Sequence, residues 1–474
     1  MSISVYDSKS RELREFHPLE PGKVGIYLCG ATVQGSPHIG HMRSAVAFDV
    51  LRRWLTRSGY DVTLVRNVTD IDDKILAKSA EAGQPWWAWA YRFEREFTDA
   101  YNILGVLPPT YEPRATGHIP QMIELIHSII DAGHAYVGNP GNVYFDVASL
   151  PDYGSLTHQN VSDMTVDQSD MEPDKRNPHD FALWKAAKPT EPHDAAWDTP
   201  WGRGRPGWHI ECSTMSGRYL GSSFDIHAGG IDLRFPHHEN EQAQSHAAGR
   251  EFARYWMHNA WVTIDGEKMS KSLGNSLIVQ ELVKSVPAAI LRFALSTVHY
   301  RSTVAYSDAT LANAANQWNK MAGFVKRAAD KYGEVPSDEL AEMRADDYPE
   351  SFRDAMDDDL NVAGALATVY EELSAGNTAL AESDASRTRL AQKRVRAMLD
   401  VLGLDPLARP WRDDQTVEAD TQNALSTVVD ALLERRAQAR EEKNWDVADG
   451  IRSTLTQAGI VVEDSAQQVH WHVA

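Results

Sequence analysis

The sequence predicts an α/β fold in which a sheet domain carries an insertion and is followed by a helix-bundle domain and a small α+β C-terminal domain. Three observations carry that expectation. Between Val24 and Trp54 an apolar strand runs through a glycine-bearing loop into a helical repeat. The same strand-and-helix pattern returns over Gly207–Asn259, after a stretch rich in Asp, Pro and His. Beyond Ser307 apolar residues recur at helical spacing with no strand-like alternation.

Taken in order, Val24-Gly25-Ile26-Tyr27-Leu28 predicts a short buried strand, and Met42 to Trp54 predicts a helix. The run that joins them, Cys29 to His41, concentrates the chemistry. A helix start presents unpaired N–H groups and a partial positive charge, which suit a phosphate, and Gly40 lets a ligand approach the backbone closely. His38 and His41, at i and i+3, add two donors on one side. Gly59-Tyr60-Asp61 then leads into a second strand, Val62 to Asn67. The cluster Thr69-Asp70-Ile71-Asp72-Asp73-Lys74 follows at that strand's C-terminal end, where open parallel sheets bind ligands. Its carboxylates either hold a metal or cap the next helix, and capping is the favoured reading.

Pro108 to Pro206 reads as an insertion, with a helix from Ile119 to Ala132 and a short strand at Val143 to Val147. Gly202-Arg203-Gly204-Arg205-Pro206-Gly207 matches Gly-x-Gly-x-x-Gly, but prolines surround it and no strand is predicted before it, which argues against a dinucleotide site. In the resumed α/β part, His237 and Glu241 stand at i and i+4 and converge if Pro236 opens a helix. Together with Cys29 and Cys212 they make a sulfur, nitrogen and oxygen set suited to Zn²⁺. On the residues alone, two buried thiols acting as small hydrophobes beside a capping glutamate is the stronger reading.

Downstream, Trp261 to Asn275 predicts a strand, an Asp-Gly turn and then Lys268-Met269-Ser270-Lys271-Ser272. Ala288 to Ser296 predicts a helix that leads to His299-Tyr300-Arg301, and residues 309–331, 338–375 and 386–402 predict a helix bundle. Leu407 to Asp420 reads as a linker, Ala424 to Gly459 as helical, and Ile460 to Glu463 with Val469 to Val473 as a terminal hairpin. On the last helical stretch Arg435, Arg436, Arg440 and Lys443 form a candidate basic strip, with a salt-bridged solvated face as the alternative.

The 474 residues include 47 Lys plus Arg against 67 Asp plus Glu, a net charge of -20 that argues against indiscriminate nucleic-acid binding and requires local basic patches for any RNA partner. Two cysteines make no disulfide framework, and no apolar run is long enough to span a bilayer, so cytoplasmic residence is expected, with no membrane partner.

The His38-Ile39-Gly40-His41 and Lys268-Met269-Ser270-Lys271-Ser272 runs, in this order, resemble the paired signatures of class I aminoacyl-tRNA synthetases. Further runs resemble the cysteinyl-tRNA synthetase family over nearly the whole chain. They are Cys29-Gly30-Ala31-Thr32-Val33, Arg66 to Lys74, Gly204 to Cys212, Phe235 to Glu241, and Lys443-Asn444-Trp445. The resemblance implies a Rossmann-type catalytic domain in two halves, residues 1–107 and 207–262, around a connective insertion at 108–206. It also implies a lysine-loop and stem-contact region at 263–308, a tRNA-binding helical bundle at 309–406 and an anticodon-recognition domain at 421–474.

The implied activity is ATP-dependent activation of L-cysteine and its transfer to tRNA(Cys), by a monomeric chain. One zinc ion per chain is implied at Cys29, Cys212, His237 and Glu241, where it binds the substrate thiol. Such an ion separates cysteine from serine by the softness and acidity of sulfur, which shape alone does poorly. The resemblance places Gly30, Thr69, Trp208 and His227 around the amino acid, and His38, Gly40, His41, Asp232, Lys268 and Lys271 around ATP and its Mg²⁺. His38, His41, Lys268 and Lys271 are the implied catalytic donors to phosphate. Departures are few: Val33-Gln34-Gly35-Ser36-Pro37 replaces the family's commoner Val-Tyr-Asp run, and Ala228 stands where a third glycine is frequent. A paralogous ligase that joins cysteine to an amino-sugar inositol in mycothiol synthesis would also need zinc and ATP, but the long region after Ser307 favours tRNA. A catalytically silent RNA-binding or zinc-structural relative is disfavoured by the intact signatures.

Overall fold

The computed structural model describes residues 2–139, 141–161, 164, 172–264, 267–268, 277–464 and 469–473. The chain divides into two compact units, Met1–Ala408 and Arg409–Ala474. Among the described residues no helix is long and apolar enough to cross a membrane.

The first unit is built on a four-stranded parallel sheet ordered Phe252–Asn259, Ser223–Gly230, Lys23–Leu28, Asp61–Arg66. Lys23–Leu28 is an interior strand, and Ile26, Tyr27 and Leu28 are buried accordingly. The predicted helix begins three residues earlier than the apolar repeat suggests and runs from Ile39 to Arg57. The second strand, Asp61–Arg66, and the helix Ala288–Ser296 fall where periodicity put them. The polar N-terminus hides an antiparallel hairpin, Ser4–Asp7 with Glu12–Glu15, whose Ile3 and Val5 are buried.

The insertion holds the helix Ile119–Asp131 and a five-stranded antiparallel sheet ordered Ala135–Val137, Val143–Phe145, Phe181–Ala186, Gly202–Pro206, Trp197–Thr199. Only one of those strands was legible beforehand. The Gly-x-Gly-x-x-Gly match is therefore preceded by a strand after all, contrary to expectation. It nevertheless forms the second arm of an antiparallel hairpin, whereas a dinucleotide site needs a parallel strand feeding a helix.

Val262–Ile264 pairs in parallel with Val304–Tyr306 and antiparallel with Glu267–Lys268. The helices Asp308–Tyr332, Glu350–Asp357, Val362–Ala381 and Ala385–Val401 follow. The predicted 338–375 segment is thus several helices. Pro349 starts one of them, and Asp359 and Leu360 take positive φ angles of 51° and 57° that break the ladder.

In the second unit the predicted linker is absent: Pro410 is the N-cap of a helix from Trp411 to Glu441. Proline and acidic residues are as suitable for a helix start as for a linker, which is why composition misled. Lys443, at φ 59°, ends that helical pattern, and the Asn444 side chain caps a second helix, Trp445–Gln457. The terminal hairpin pairs Ile460–Asp464 with Val469–Val473 as expected. Val429, Leu455 and Ile460 form the small core of this unit.

One buried charge cluster locks the first unit. Asp49, on the Ile39–Arg57 helix, accepts from Arg292 Nη2 at 2.5 Å, Arg53 Nε at 2.9 Å and the Leu107 backbone N–H at 3.0 Å. Burial alone would raise the Asp49 carboxyl, but Arg53, Arg292 and that N–H outweigh it and hold it down at about 2. Arg292 is fully buried and also donates to the Leu104 and Leu402 carbonyls, each at 2.9 Å. Gly403 is required beside it, because φ is +68° and a Cβ would lie 2.0 Å from Arg292 Nη2. Asp49→Ala is expected to cost about 3–5 kcal/mol in chemical denaturation, since it strands a buried guanidinium. A cost under about 1 kcal/mol would show that Arg292 is satisfied without it.

Candidate active site

The sheet's C-terminal edge opens into a cleft of about 550 Å³ whose lining includes Cys29, Gly30, His38, Gly40, His41 and Asp232. Lys23–Leu28 delivers Cys29 and Gly30 to its floor, and the loop returns at the start of the Ile39–Arg57 helix. Gly30 has no room for a side chain, since a Cβ would lie 1.7 Å from the Asn67 carbonyl oxygen. Its N–H donates to Asn67 Oδ1 at 2.8 Å. His38 and His41 form a reciprocal cap: the His38 N–H donates to His41 Nδ1 at 3.1 Å, and the rings stack 3.7 Å apart. Ile39 N donates to Leu277 O and Val279 N to Pro37 O, which pins this helix start to the chain just beyond the lysine run.

The second cluster lies buried beneath the floor, which it reaches through Cys29. The helix Trp208–Leu220 brings Cys212, and a kinked turn at Arg234–His238 followed by the helix Glu239–Ala247 brings His237 and Glu241. Cys29 Sγ and Cys212 Sγ are 3.8 Å apart, and Cys29 Sγ is 3.5 Å from Glu241 Oε1. A tetrahedral ion with sulfur ligands at about 2.3 Å and oxygen or nitrogen ligands at about 2.0 Å sets S–S and S–O edges of about 3.8 Å and about 3.5 Å. His237 Nε2 lies 3.1 Å from Glu241 Oε1. The donor spacing therefore fits a zinc ion, whereas a disulfide requires about 2 Å between sulfurs. Cys29, His227, His238 and Glu241 also converge within 4.8 Å. That second set has one thiol instead of two, and its His227 Nε2 is already 2.9 Å from Glu241 Oε2.

The electrostatics point the same way. Burial pushes the Cys29 and Cys212 thiols and the Glu241 carboxyl up, and pushes His237 down. Desolvation thus drives each group toward its neutral form, and a divalent cation is what would reverse the balance for the acids. Around them runs a chain of imidazoles. His209 Nδ1 is 2.9 Å from His237 Nδ1, and His227 stacks on Trp256 with centroids 4.6 Å apart. His238 Nδ1 is 2.9 Å from His258 Nε2, and His258 Nδ1 is 2.8 Å from Ser8 Oγ. Burial lowers His209, His227 and His258 to about 3, so these rings are neutral hydrogen-bonding links.

The remaining expected residues separate into near and distant. Thr69 is buried and donates through Oγ1 to Glu211 Oε2 at 2.8 Å. Trp208 stacks on His237 at 4.1 Å and is partly exposed, so it covers the outer face of that imidazole rather than serving only as core. Asp232 sits in the turn after Ser223–Gly230 and faces the cleft. Lys268 occupies a short strand, while Lys271 lies outside the described residues. Asp72 caps the helix Asp73–Glu81 by accepting from Lys74 N at 2.8 Å, which bears out the capping reading of that acidic cluster. Of the basic strip on the terminal helices, Arg436 is only 7 % exposed, so it does not belong to an exposed strip as expected. Sequence reasoning assigned no role to Glu211, His209, His238 or His258, nor to Lys74 and Lys78 in the cleft wall. The dense polar runs that contain them were the available signal.

Comparison with known proteins is consistent across three levels. The chain matches the family profile for the class I (C) tRNA synthetase catalytic domain over residues 15–316, the DALR domain over 351–407 and the cysteinyl-tRNA ligase anticodon-binding domain over 422–471. It is 59% identical to a cysteine–tRNA ligase of Beutenbergia cavernae, covering 100% of this chain and 99% of that one. It is 54% identical to one of Streptomyces avermitilis, covering 99% of both. A solved methionyl-tRNA synthetase of Mycobacterium tuberculosis in complex with methionyl-adenylate superposes with a TM-score of 0.56 at 18% identity, over 81% of this chain and 90% of that one, which shows the shared fold. The parallel-sheet domain, the paired signatures and full-length identity above half all agree: the chain belongs to the cysteinyl-tRNA ligase family of class I aminoacyl-tRNA synthetases.

Proposed function

We propose that this chain is a cysteine–tRNA ligase. It joins the carboxylate of L-cysteine to the α-phosphate of ATP, giving cysteinyl-adenylate and pyrophosphate, and then passes the cysteinyl group to the 3′-terminal ribose of tRNA(Cys), working as a single chain. One observation carries the cysteine assignment: two thiols, an imidazole and a carboxylate stand at tetrahedral spacing beneath the cleft, with Cys29 in its lining. A mycothiol-type ligase is not favoured, because the chain includes a match to an anticodon-binding domain.

Cys29, Cys212, His237 and Glu241 would hold zinc. When bound, zinc supplies a soft Lewis acid that lowers a thiol's pKa and prefers sulfur to a hydroxyl oxygen. The protein's own part is to orient and exclude water. His227 and His209 hold Glu241 and His237 in place from behind, and Trp208 shields the outer face of His237. Gly30, in the cleft lining, and the buried Thr69 beside it are the residues that would face the amino acid's amino and carboxylate ends. In the first step the carboxylate oxygen bonds to the α-phosphorus as the bond to pyrophosphate breaks, so charge grows on phosphate oxygens. His38, His41, Lys268 and Lys271 are the donors proposed to stabilise it, with Gly40 leaving room for the nucleotide, Mg²⁺ on the phosphates and Asp232 facing the ribose.

Elemental analysis is expected to find one zinc per chain, and cysteine-dependent ATP–pyrophosphate exchange is expected to fall when the metal is chelated and to return with zinc. A metal-free protein that activates cysteine at the full rate would overturn the metal assignment.

Lys271→Ala is expected to slow single-turnover adenylate formation by on the order of 10²-fold while changing the cysteine KM far less. An unaltered rate would remove Lys271 from the transition-state role.

The second unit begins at Arg409, so a chain ending at Ala408 separates the two activities better than a cut at Asp420, which would divide a helix. That shortened chain is expected to keep exchange and lose most tRNA charging. Full charging would mean that residues 409–474 do not contribute to tRNA recognition.

A further inference from the structure

The helix Asp73–Glu81 carries Lys74 and Lys78 one turn apart, so their side chains share a face, and both line the 550 Å³ cleft. Of the three acids just before and at the start of this helix, Asp70 and Asp73 are engaged away from the lysines, and Asp72 caps the helix at Lys74. Asp70 accepts from the Thr116 N–H at 2.9 Å and from its hydroxyl at 2.5 Å. Asp72 accepts from the backbone N–H of Lys74 at 2.8 Å. Asp73 binds Lys185 Nζ at 2.6 Å and also pairs with Arg205. Among the described residues neither Lys74 nor Lys78 makes a side-chain ion pair. In a chain of net charge -20, two such ammonium groups side by side on a cleft wall mark a place where an anion is accepted.

Sheet order identifies which wall. The lysine helix follows Asp61–Arg66, one edge of the parallel sheet, whereas Asp232 and Trp261 follow the two strands at the opposite side, and His38 and His41 lie between. A nucleotide with its ribose at Asp232 and its phosphates at the histidines leaves the lysine wall for a second polyanion. Arg66 shares that wall but is occupied, with Nη2 2.9 Å from Glu112 and its guanidinium 3.6 Å over the Tyr101 ring. The base of the lysine helix is also fixed. Through Asp73 it is tied to the insertion strands Phe181–Ala186 and Gly202–Pro206, so the two cations are held on a braced element.

We propose that Lys74 and Lys78 receive the last phosphodiester groups of the tRNA 3′ strand and position its terminal ribose at the activated carboxyl. They are positioning residues, and the inference rests on the ligase reading above. The triphosphate of ATP offers the same phosphate chemistry, and two assays on one variant distinguish the sources.

In the full-length, zinc-loaded protein, the double substitution Lys74→Ala, Lys78→Ala is expected to lower kcat/KM for tRNA charging at least about tenfold more than it lowers cysteine-dependent exchange. The log–log salt slope of that kcat/KM should shrink by about 1.4, two single-strand phosphate contacts at about 0.7 each. Lys74→Arg with Lys78→Arg should restore most charging, because the contact is ionic, and thermal melting of both variants should match the parent. Equal losses in the two assays would assign the lysines to ATP and overturn the proposal, as would an unchanged charging rate or salt slope. A parent protein with no cysteine-dependent exchange would instead defeat the ligase reading itself.

Discussion

The Asp49 carboxylate is the contact on which the arrangement of the catalytic unit turns. It gathers Arg53 from its own helix, Arg292 from the helix Ala288–Ser296 and the Leu107 N–H at the start of the insertion. Arg292 extends the same cluster to Leu104 and Leu402. Earlier on the helix, Arg43 donates to the His299 carbonyl at 2.7 Å and to that of Val298 at 3.1 Å, and also pairs with the Leu295 carbonyl. A hydrophobic face would let the helix slide or rotate by a fraction of a turn. Buried guanidinium groups do not, because each displaced donor would be left desolvated and unpaired. Since the helix opens at His38 and His41, fixing its rotation also fixes the end of the helix that lines the cleft.

The floor of the cleft poses the opposite electrostatic problem. Two thiols, a glutamate and several imidazoles are packed together with only Cys29 reaching the cleft, and burial drives each toward its neutral form. Such a cluster is a poor hydrophobic core and a poor set of isolated ion pairs. Its donor edges match a tetrahedral ion, and its neighbours hold the ligating atoms rigidly: His227 on Glu241, His209 on His237. The same rigidity serves selectivity, since a preformed set of donors accepts the ligand that fits its chemistry without reorganising.

An acidic protein that handles two polyanions must solve the charge problem locally. At physiological salt the screening length is about 8 Å, so a net charge of -20 is little felt inside a cleft whose own lining carries Lys74 and Lys78. The structure achieves this by engaging the nearby carboxylates elsewhere: Asp70 on Thr116, Asp72 on the helix start, Asp73 on Lys185 and Arg205. The Asp73 charge is thereby balanced by two cations of the insertion, whereas Asp72 keeps its charge within reach of Lys74.

By itself the sequence determined the local elements with strong periodicity and the runs in which chemistry is dense. The strand before Cys29, the helix after His38, the helix Ala288–Ser296 and the terminal hairpin all follow from apolar spacing and turn residues. The i, i+4 relation of His237 and Glu241 was likewise visible, because it is a local property of one helical turn. Tertiary structure alone decided that Cys29 and Cys212, separated by 183 residues, meet with their sulfurs 3.8 Å apart beside Glu241. It also decided that Asp73 pairs across to the insertion, and that the insertion is a sheet whose short strands lack a readable pattern. The linker expected at Leu407–Asp420 failed for a related reason: proline and acids favour a loop and a helix N-terminus alike, and the sequence holds no local signal that separates them. Long-range pairing depends on where distant strands are placed in the sheet, and that placement is a property of the whole packed chain.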